Sequence, residues 1–149
     1  MLNVGKIEEG IVLDHIEAGK AMLIYHYLKL DRTEYPVAII KNARSEAMTR
    51  KDILKVECDP DSLNLDVIAF MAPSVTVNVI KGGEIVEKRQ LHLPEEITGV
   101  LKCHNPRCIT SIEQELPHIF YLSDHTRQIY RCRYCEERYT AGVLEKRYR

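Results

Sequence analysis

The sequence predicts an α+β chain, with an antiparallel sheet carrying two helices on one face, followed by a small β-rich unit that holds a cluster of cysteines. Three observations predict it. Short β-branched runs alternate with helical segments over residues 1–97, the order expected when helices cover one side of an antiparallel sheet. Four of the five cysteines, Cys103, Cys108, Cys132 and Cys135, fall in the last third. The charge also changes sign: residues 1–97 carry 12 Lys plus Arg against 16 Asp plus Glu, whereas residues 98–149 carry 9 against 6.

Each element has a local reason. Gly10 to Ile16 is a β-branched run that ends near Glu17-Ala18-Gly19. From Lys20 to Leu30, Ala21, Ile24, Tyr25 and Leu28 recur at helical spacing, with Met22 and Leu23 widening the stripe. Tyr35 to Ile40 reads as a strand, and the polar cluster 41–46 breaks it before a second strand from Arg50 to Cys58, so a hairpin with a long loop is expected. Asp59-Pro60-Asp61-Ser62 is a helix entry, with Ser62 or Asp61 as N-cap and Pro73 stopping the helix after Met71. Val75 to Ile80 is a strand, Lys81-Gly82-Gly83 a turn and Glu84 to Leu91 a closing strand. The resulting order, β-α-β-β-α-β with an added strand, is ferredoxin-like, and it leaves the second sheet face open.

Composition narrows the function classes. With 149 residues, 45% hydrophobic, 29% charged and a net charge of −1, the chain is neither disordered nor fibrous. No run approaches the roughly 18 apolar residues of a membrane span, and the start MLNVGKIEEG has no basic or apolar leader region. A cytoplasmic protein without a membrane partner is expected. Pro94 and the charge change place a domain boundary near residue 97, giving domains 1–97 and 98–149.

The second domain is too short to bury a large core unaided. Cys103-x4-Cys108 and, after 23 intervening residues, Cys132-x2-Cys135 supply four thiolates, which suits tetrahedral zinc in a closed structural site. Lys102, Arg107, Arg131 and Arg133 lie beside them to offset the excess negative charge. The bland alternative, two turn pairs of reduced cysteines, leaves their clustering unexplained. With four sulfurs present, His104 and His125 are not needed as ligands, and Cys58 reads as a small core residue.

On the open sheet face, alternation sets Lys51 and Lys55 opposite Leu54, Val56 and Cys58, and sets Thr76 and Asn78 apart from Val75, Val77 and Val79. Lys88 adds a third cation. Ammonium groups attract phosphates and an amide can read a base or ribose, although lysines on a solvated sheet face are also ordinary. Regular alternation would point Asp14 and His15 to opposite faces, so the two are not expected to form an acid–base couple. No Gly-rich phosphate loop, GxSxG or HExxH occurs, and no catalytic residue is nominated.

Gly10-Ile11-Val12-Leu13-Asp14-His15-Ile16, Arg50 to Glu57, Ala72 to Ile80, Cys103-x4-Cys108 and Cys132-Arg133-Tyr134-Cys135-Glu136 together resemble, in unbroken order from Val4 to Leu144, the regulatory chains of aspartate carbamoyltransferase. The resemblance implies a non-catalytic subunit of pyrimidine biosynthesis with an N-terminal allosteric domain. That domain would bind CTP, with ATP as opposing effector and UTP as co-inhibitor. The zinc domain would dock on the catalytic chain, and homodimers of regulatory chains would bridge catalytic trimers into a dodecamer of six catalytic and six regulatory chains. Carried over residue by residue, the nucleotide pocket would comprise Val4, Ile7, Val12, Asp14, His15, Lys55, Asn78, Ile80, Ile85 and Lys88. In that mapping Lys88 and His15 neighbour the phosphates or ribose, Lys55 the base and ribose side, and the backbone near Ile7 and Ile80 the base edge. Gly5-Lys6 and Gly83 depart from the family pattern beside the base. The sequence leaves two other classes open. One is a zinc-ribbon nucleic-acid binder, suggested by Arg131-Cys132-Arg133-Tyr134 and the basic second domain. The other is a small nucleotide-processing enzyme.

Overall fold

The computed structural model describes residues 7–63, 65 and 68–142. Two antiparallel sheets are formed. The first has strands β1 (Glu9–Glu17), β2 (Val37–Ser45), β3 (Thr49–Glu57), β4 (Thr76–Lys81) and β5 (Glu84–Gln90) in the order β2-β3-β1-β4-β5. The second has β6 (Glu96–Thr98), β7 (Ile119–Asp124), β8 (Ile129–Cys132) and β9 (Arg138–Thr140) in sequential order. Helices α1 (Ala21–Tyr27) and α2 (Ile68–Met71) belong to the first part, and α3 (Ile109–Ile112) follows the first cysteine pair.

The apolar alternation of the strands decides which face the helices cover. Ile11 and Leu13 of β1, Leu54 and Val56 of β3, and Val77 and Val79 of β4 form one core with Ala21 and Ile24 of α1 and Ile68 beside Ala72 at α2. Cys58 is buried in this core. At Gly10 the strands approach so closely that a Cβ would lie 2.0 Å from the Val56 carbonyl oxygen, which only glycine tolerates. The β4–β5 hairpin turns on Gly82 and Gly83, both at positive φ, 63° and 78°, the backbone of a two-residue primed turn.

Several expectations are corrected. Helix α1 stops at Tyr27, because Lys29 takes a left-handed conformation (φ 57°) and a 3₁₀ turn, Leu30–Arg32, replaces the last turn. The polar cluster 41–46 does not end the strand. A bulge between Ile40 and Ala43, with Asn42 at φ 61°, lets β2 continue to Ser45, so the connection to β3 is only residues 46–48. The helix entry is capped by Asp59, whose side chain accepts from the Asp61 N–H, rather than by Asp61 or Ser62. It starts a 3₁₀ turn, Pro60–Ser62, and α2 is a single turn. Strand β6 spans residue 97 and pairs with β7, so the second sheet begins at Glu96.

Candidate functional site

The open face of the first sheet owes its chemistry to a bulge in β1. Pairing with β3 is regular from Gly10 to Leu13 and resumes at Ile16, with a register shift between. His15 sits there at φ 58°, and an inserted residue of this kind breaks the two-residue alternation. Asp14 and His15 therefore do not point to opposite faces, contrary to the alternation argument. Asp14 lies opposite Thr76 of β4, and the His15 ring reaches the same threonine, Nδ1 to Oγ1 at 3.0 Å. Two further bonds hold the bulge: the His15 N–H donates to Asp14 Oδ1 at 2.6 Å, and Ser74 Oγ donates to the His15 carbonyl at 2.7 Å. Asp14 also pairs with Lys51 of β3, Nζ to Oδ1 at 2.9 Å.

Beside this cluster the face forms a cavity of about 560 Å³ lined by Ile7, Val12, Asp14, Ile53, Lys55, Asn78, Ile80, Gly83, Glu84 and Ile85. Ile7, Ile53, Ile80 and Ile85 make it mostly apolar, with Lys55, Asn78, Asp14 and Glu84 as polar groups, a combination typical of small-molecule sites. His15 and Lys88 do not line it but share its face, since Lys88 lies opposite Asn78. Val4, Gly5 and Lys6 lie outside the described residues. Ile53, which sequence reasoning missed, was available from the alternation that placed Lys51 and Lys55.

In the second sheet, β8 delivers Cys132 and the following turn Cys135, while Cys103 and Cys108 bracket a loop closed by the Cys108 N–H donating to the Asn105 carbonyl at 3.0 Å. The four Sγ atoms lie within 4.8 Å of one another. The Cys103–Cys135 and Cys108–Cys132 separations are 3.6 and 3.7 Å. These are too long for a disulfide and close to the S···S edge of about 3.8 Å in a tetrahedron with Zn–S near 2.3 Å. Donors surround the sulfurs: Tyr139 Oη donates to Cys103 Sγ at 3.3 Å, and Thr110 Oγ1 lies 3.0 Å from Cys108 Sγ. Such bonds favour the thiolate and fix its direction.

Burial pushes the Cys103 thiol up and the Cys132 thiol up to about 12. Burial acts the same way on Cys108, but hydrogen bonds with Thr110, Cys132 and Cys135 outweigh it and bring that thiol down to about 7. His104 packs edge-on against Tyr139 and His125 faces Glu95, so neither joins the cluster. Of the neighbouring cations, Arg133 pairs with Glu96 at 2.5 Å and Arg131 donates to the Glu136 carbonyl. They offset the sulfur charge only at longer range.

Comparison with known proteins assigns both halves. The family model described as aspartate carbamoyltransferase regulatory chain, allosteric domain, matches residues 2–92, and the one described as its metal binding domain matches residues 95–144. The chain belongs to the aspartate carbamoyltransferase regulatory chain family. The regulatory chain of Clostridium acetobutylicum is 48% identical over 146 residues, covering 97% of this chain and 99% of that protein. That of Clostridium botulinum is 45% identical over 146 residues (98% and 99%), and that of Bifidobacterium longum 45% over 136 residues (91% and 97%). As a regulatory chain it is a non-catalytic subunit with an allosteric domain and a metal-binding domain. The open-face cavity belongs to the first and the cysteine cluster to the second. No described helix is long and apolar enough to cross a membrane.

Proposed function

We propose that the chain binds pyrimidine and purine nucleoside triphosphates in the open-face cavity and transmits their presence to the catalytic chains of aspartate carbamoyltransferase. The observation that carries this reading is the composition of the cavity. Four isoleucines provide an apolar slot for a base, Asn78 an amide able to donate and accept, and Lys55 an ammonium. Lys51, His15 and Lys88 stand on the same face to meet a phosphate chain. CTP is the inhibitor, ATP the opposing effector and UTP a co-inhibitor. Gly83 leaves the hairpin end of the slot without an aromatic side chain, so base preference rests on the isoleucines and the neighbouring backbone.

Zinc is the metal that suits the second site, held by Cys103, Cys108, Cys132 and Cys135. When bound it supplies structure and charge rather than chemistry, because four sulfurs leave no position for water. The loop and turn it gathers present exposed apolar side chains, Ile109 and Ile112 on α3 and Tyr134 between the last two cysteines, a surface suited to docking on the catalytic chain. Regulatory homodimers would then bridge catalytic trimers in a cytoplasmic assembly of six catalytic and six regulatory chains.

Regulation follows from linkage. A nucleotide alters a distant active site only if it binds two quaternary states with different affinity, and tight binding without that difference regulates nothing. The test is to assemble the chain with its catalytic trimer and measure aspartate saturation with and without CTP. A curve displaced to higher aspartate supports the proposal, and an unmoved curve refutes regulation by CTP.

A further inference from the structure

Lys20 is a buried lysine outside both sites. It is 4% exposed, a position lysine rarely occupies without partners. Its ammonium has three acceptors: the Gly142 carbonyl at 2.7 Å, the Met71 carbonyl at 3.2 Å and Glu17 Oε2 at 2.9 Å. Three donors meet three acceptors, so the group is fully satisfied. These acceptors come from the end of β1, from α2 and from the segment after β9. One side chain thus joins the two domains.

Gly142 is built for this contact. Its N–H donates to the Phe70 carbonyl at 2.7 Å while its carbonyl accepts from Lys20. Its φ is 83°, and a Cβ there would lie 3.0 Å from Pro73 Cδ, so the backbone approach requires glycine. On the other side, Glu17 ends the strand that carries Val12 and Asp14 into the cavity and His15 beside it. Glu17 is also paired across the sheet with Lys51, the residue that holds Asp14. Asp14, a wall of the cavity, is thus bonded to a lysine that stands at the register position of Glu17.

We infer that Lys20 is the positioning residue that fixes the metal-binding domain against the effector domain, and that nucleotide control passes through its Glu17, Met71 and Gly142 contacts. The second clause rests on the effector reading above. Neutral variants of Lys20 would leave two carbonyls without their donor and free the Gly142 segment, without touching cavity or metal.

The experiment uses the full zinc-loaded chain, alone and assembled with the catalytic chain, unaltered and as Lys20→Met. In the chain alone, amide exchange at Gly142 should accelerate about 10-fold or more; unchanged protection overturns the inference. In the assembly, the CTP-induced shift in half-saturating aspartate should shrink about threefold or more, while CTP affinity by calorimetry and zinc content stay within about twofold. A shift of full size overturns it, as does a loss explained wholly by weaker CTP binding. Should Lys20→Met fail to fold, Glu17→Gln, which keeps both carbonyl bonds, must still reduce the shift measurably, and no reduction overturns it. If CTP does not bind the unaltered chain, the effector reading fails separately and nucleotide control through Lys20 falls with it, while exchange at Gly142 still decides the positioning role.

Discussion

Asp52 is fully buried, and its carboxylate accepts three backbone N–H bonds: Gly19 and Ala21 on Oδ2 at 3.0 and 3.2 Å, and Asn42 on Oδ1 at 2.8 Å. It thereby holds the start of α1 and the β2 bulge to β3, the strand that carries Lys51 and Lys55. In Asp52→Asn, one amide oxygen replaces two acceptors. If it faces Gly19 and Ala21, the NH₂ group confronts the Asn42 N–H, donor against donor; the flipped amide fails at the other two. At about 1.5–3 kcal/mol for a hydrogen bond to a charged group, one bond lost and the others weakened amounts to about 2–4 kcal/mol. For a domain near 100 residues this lowers the melting temperature by roughly 10–20 °C. The assay is urea and thermal denaturation of the zinc-loaded chain followed by far-ultraviolet circular dichroism. A loss below about 0.5 kcal/mol, the range of inert surface substitutions, would refute the claim that these three bonds organise the domain.

A thiol-reactive mercurial or a strong chelator should release the chain from its catalytic partner, read as two peaks by size-exclusion chromatography; a complex that survives complete zinc loss counts against metal-dependent docking. Metal affinity should climb with pH. Burial keeps the Cys103 and Cys132 thiols protonated near neutrality, so binding expels at least those two protons, and competition titrations between pH 6 and 7 should show a rise of at least about 100-fold; a rise under tenfold contradicts the assignment. Lys55→Gln should weaken CTP binding about tenfold or more by calorimetry while zinc content and melting temperature hold, and undiminished affinity would remove Lys55 from the pocket.

The legible features were those whose cause is local. The four cysteines announce their cluster by spacing, and Lys51, Ile53 and Lys55 announce a common face by alternation. The bulge at Asp14 and His15 was hidden because no glycine marks it; His15 adopts its left-handed backbone for the sake of bonds to Thr76 and Ser74, some 60 residues away. Asp52 had a readable signal, since the same alternation that buries Leu54 and Val56 puts a carboxylate in the core, where it must find donors. Lys20 had none, because its acceptors Met71 and Gly142 are 51 and 122 residues distant. The polar run 41–46 mimics a strand break in sequence, whereas a bulge at an edge strand accommodates polar residues without ending the pairing.

Helix α2 explains why so short a second domain holds together and why it should sense the first. Its single turn serves two cores. Ile68, with Ala72 just beyond the turn, packs into the first core, while Phe70 and Met71 pack into the second with Ile97, Phe120, Tyr130 and the cysteines. Phe70 meets Tyr130 edge to face with ring centroids 4.8 Å apart, and Tyr130 hydroxyl donates to the Pro94 carbonyl in the linker. A unit of about fifty residues buries too little surface to stand without help, and here help comes from the metal and from side chains borrowed from the first domain, Phe70 and Met71 with Leu23 and Tyr27 of α1 packed against the same core. A residue buried in one core cannot move without disturbing it, because interiors are close-packed. Any displacement of α2 is therefore felt in both cores at once, with Lys20 bonded to the carbonyl of Met71 on that same turn.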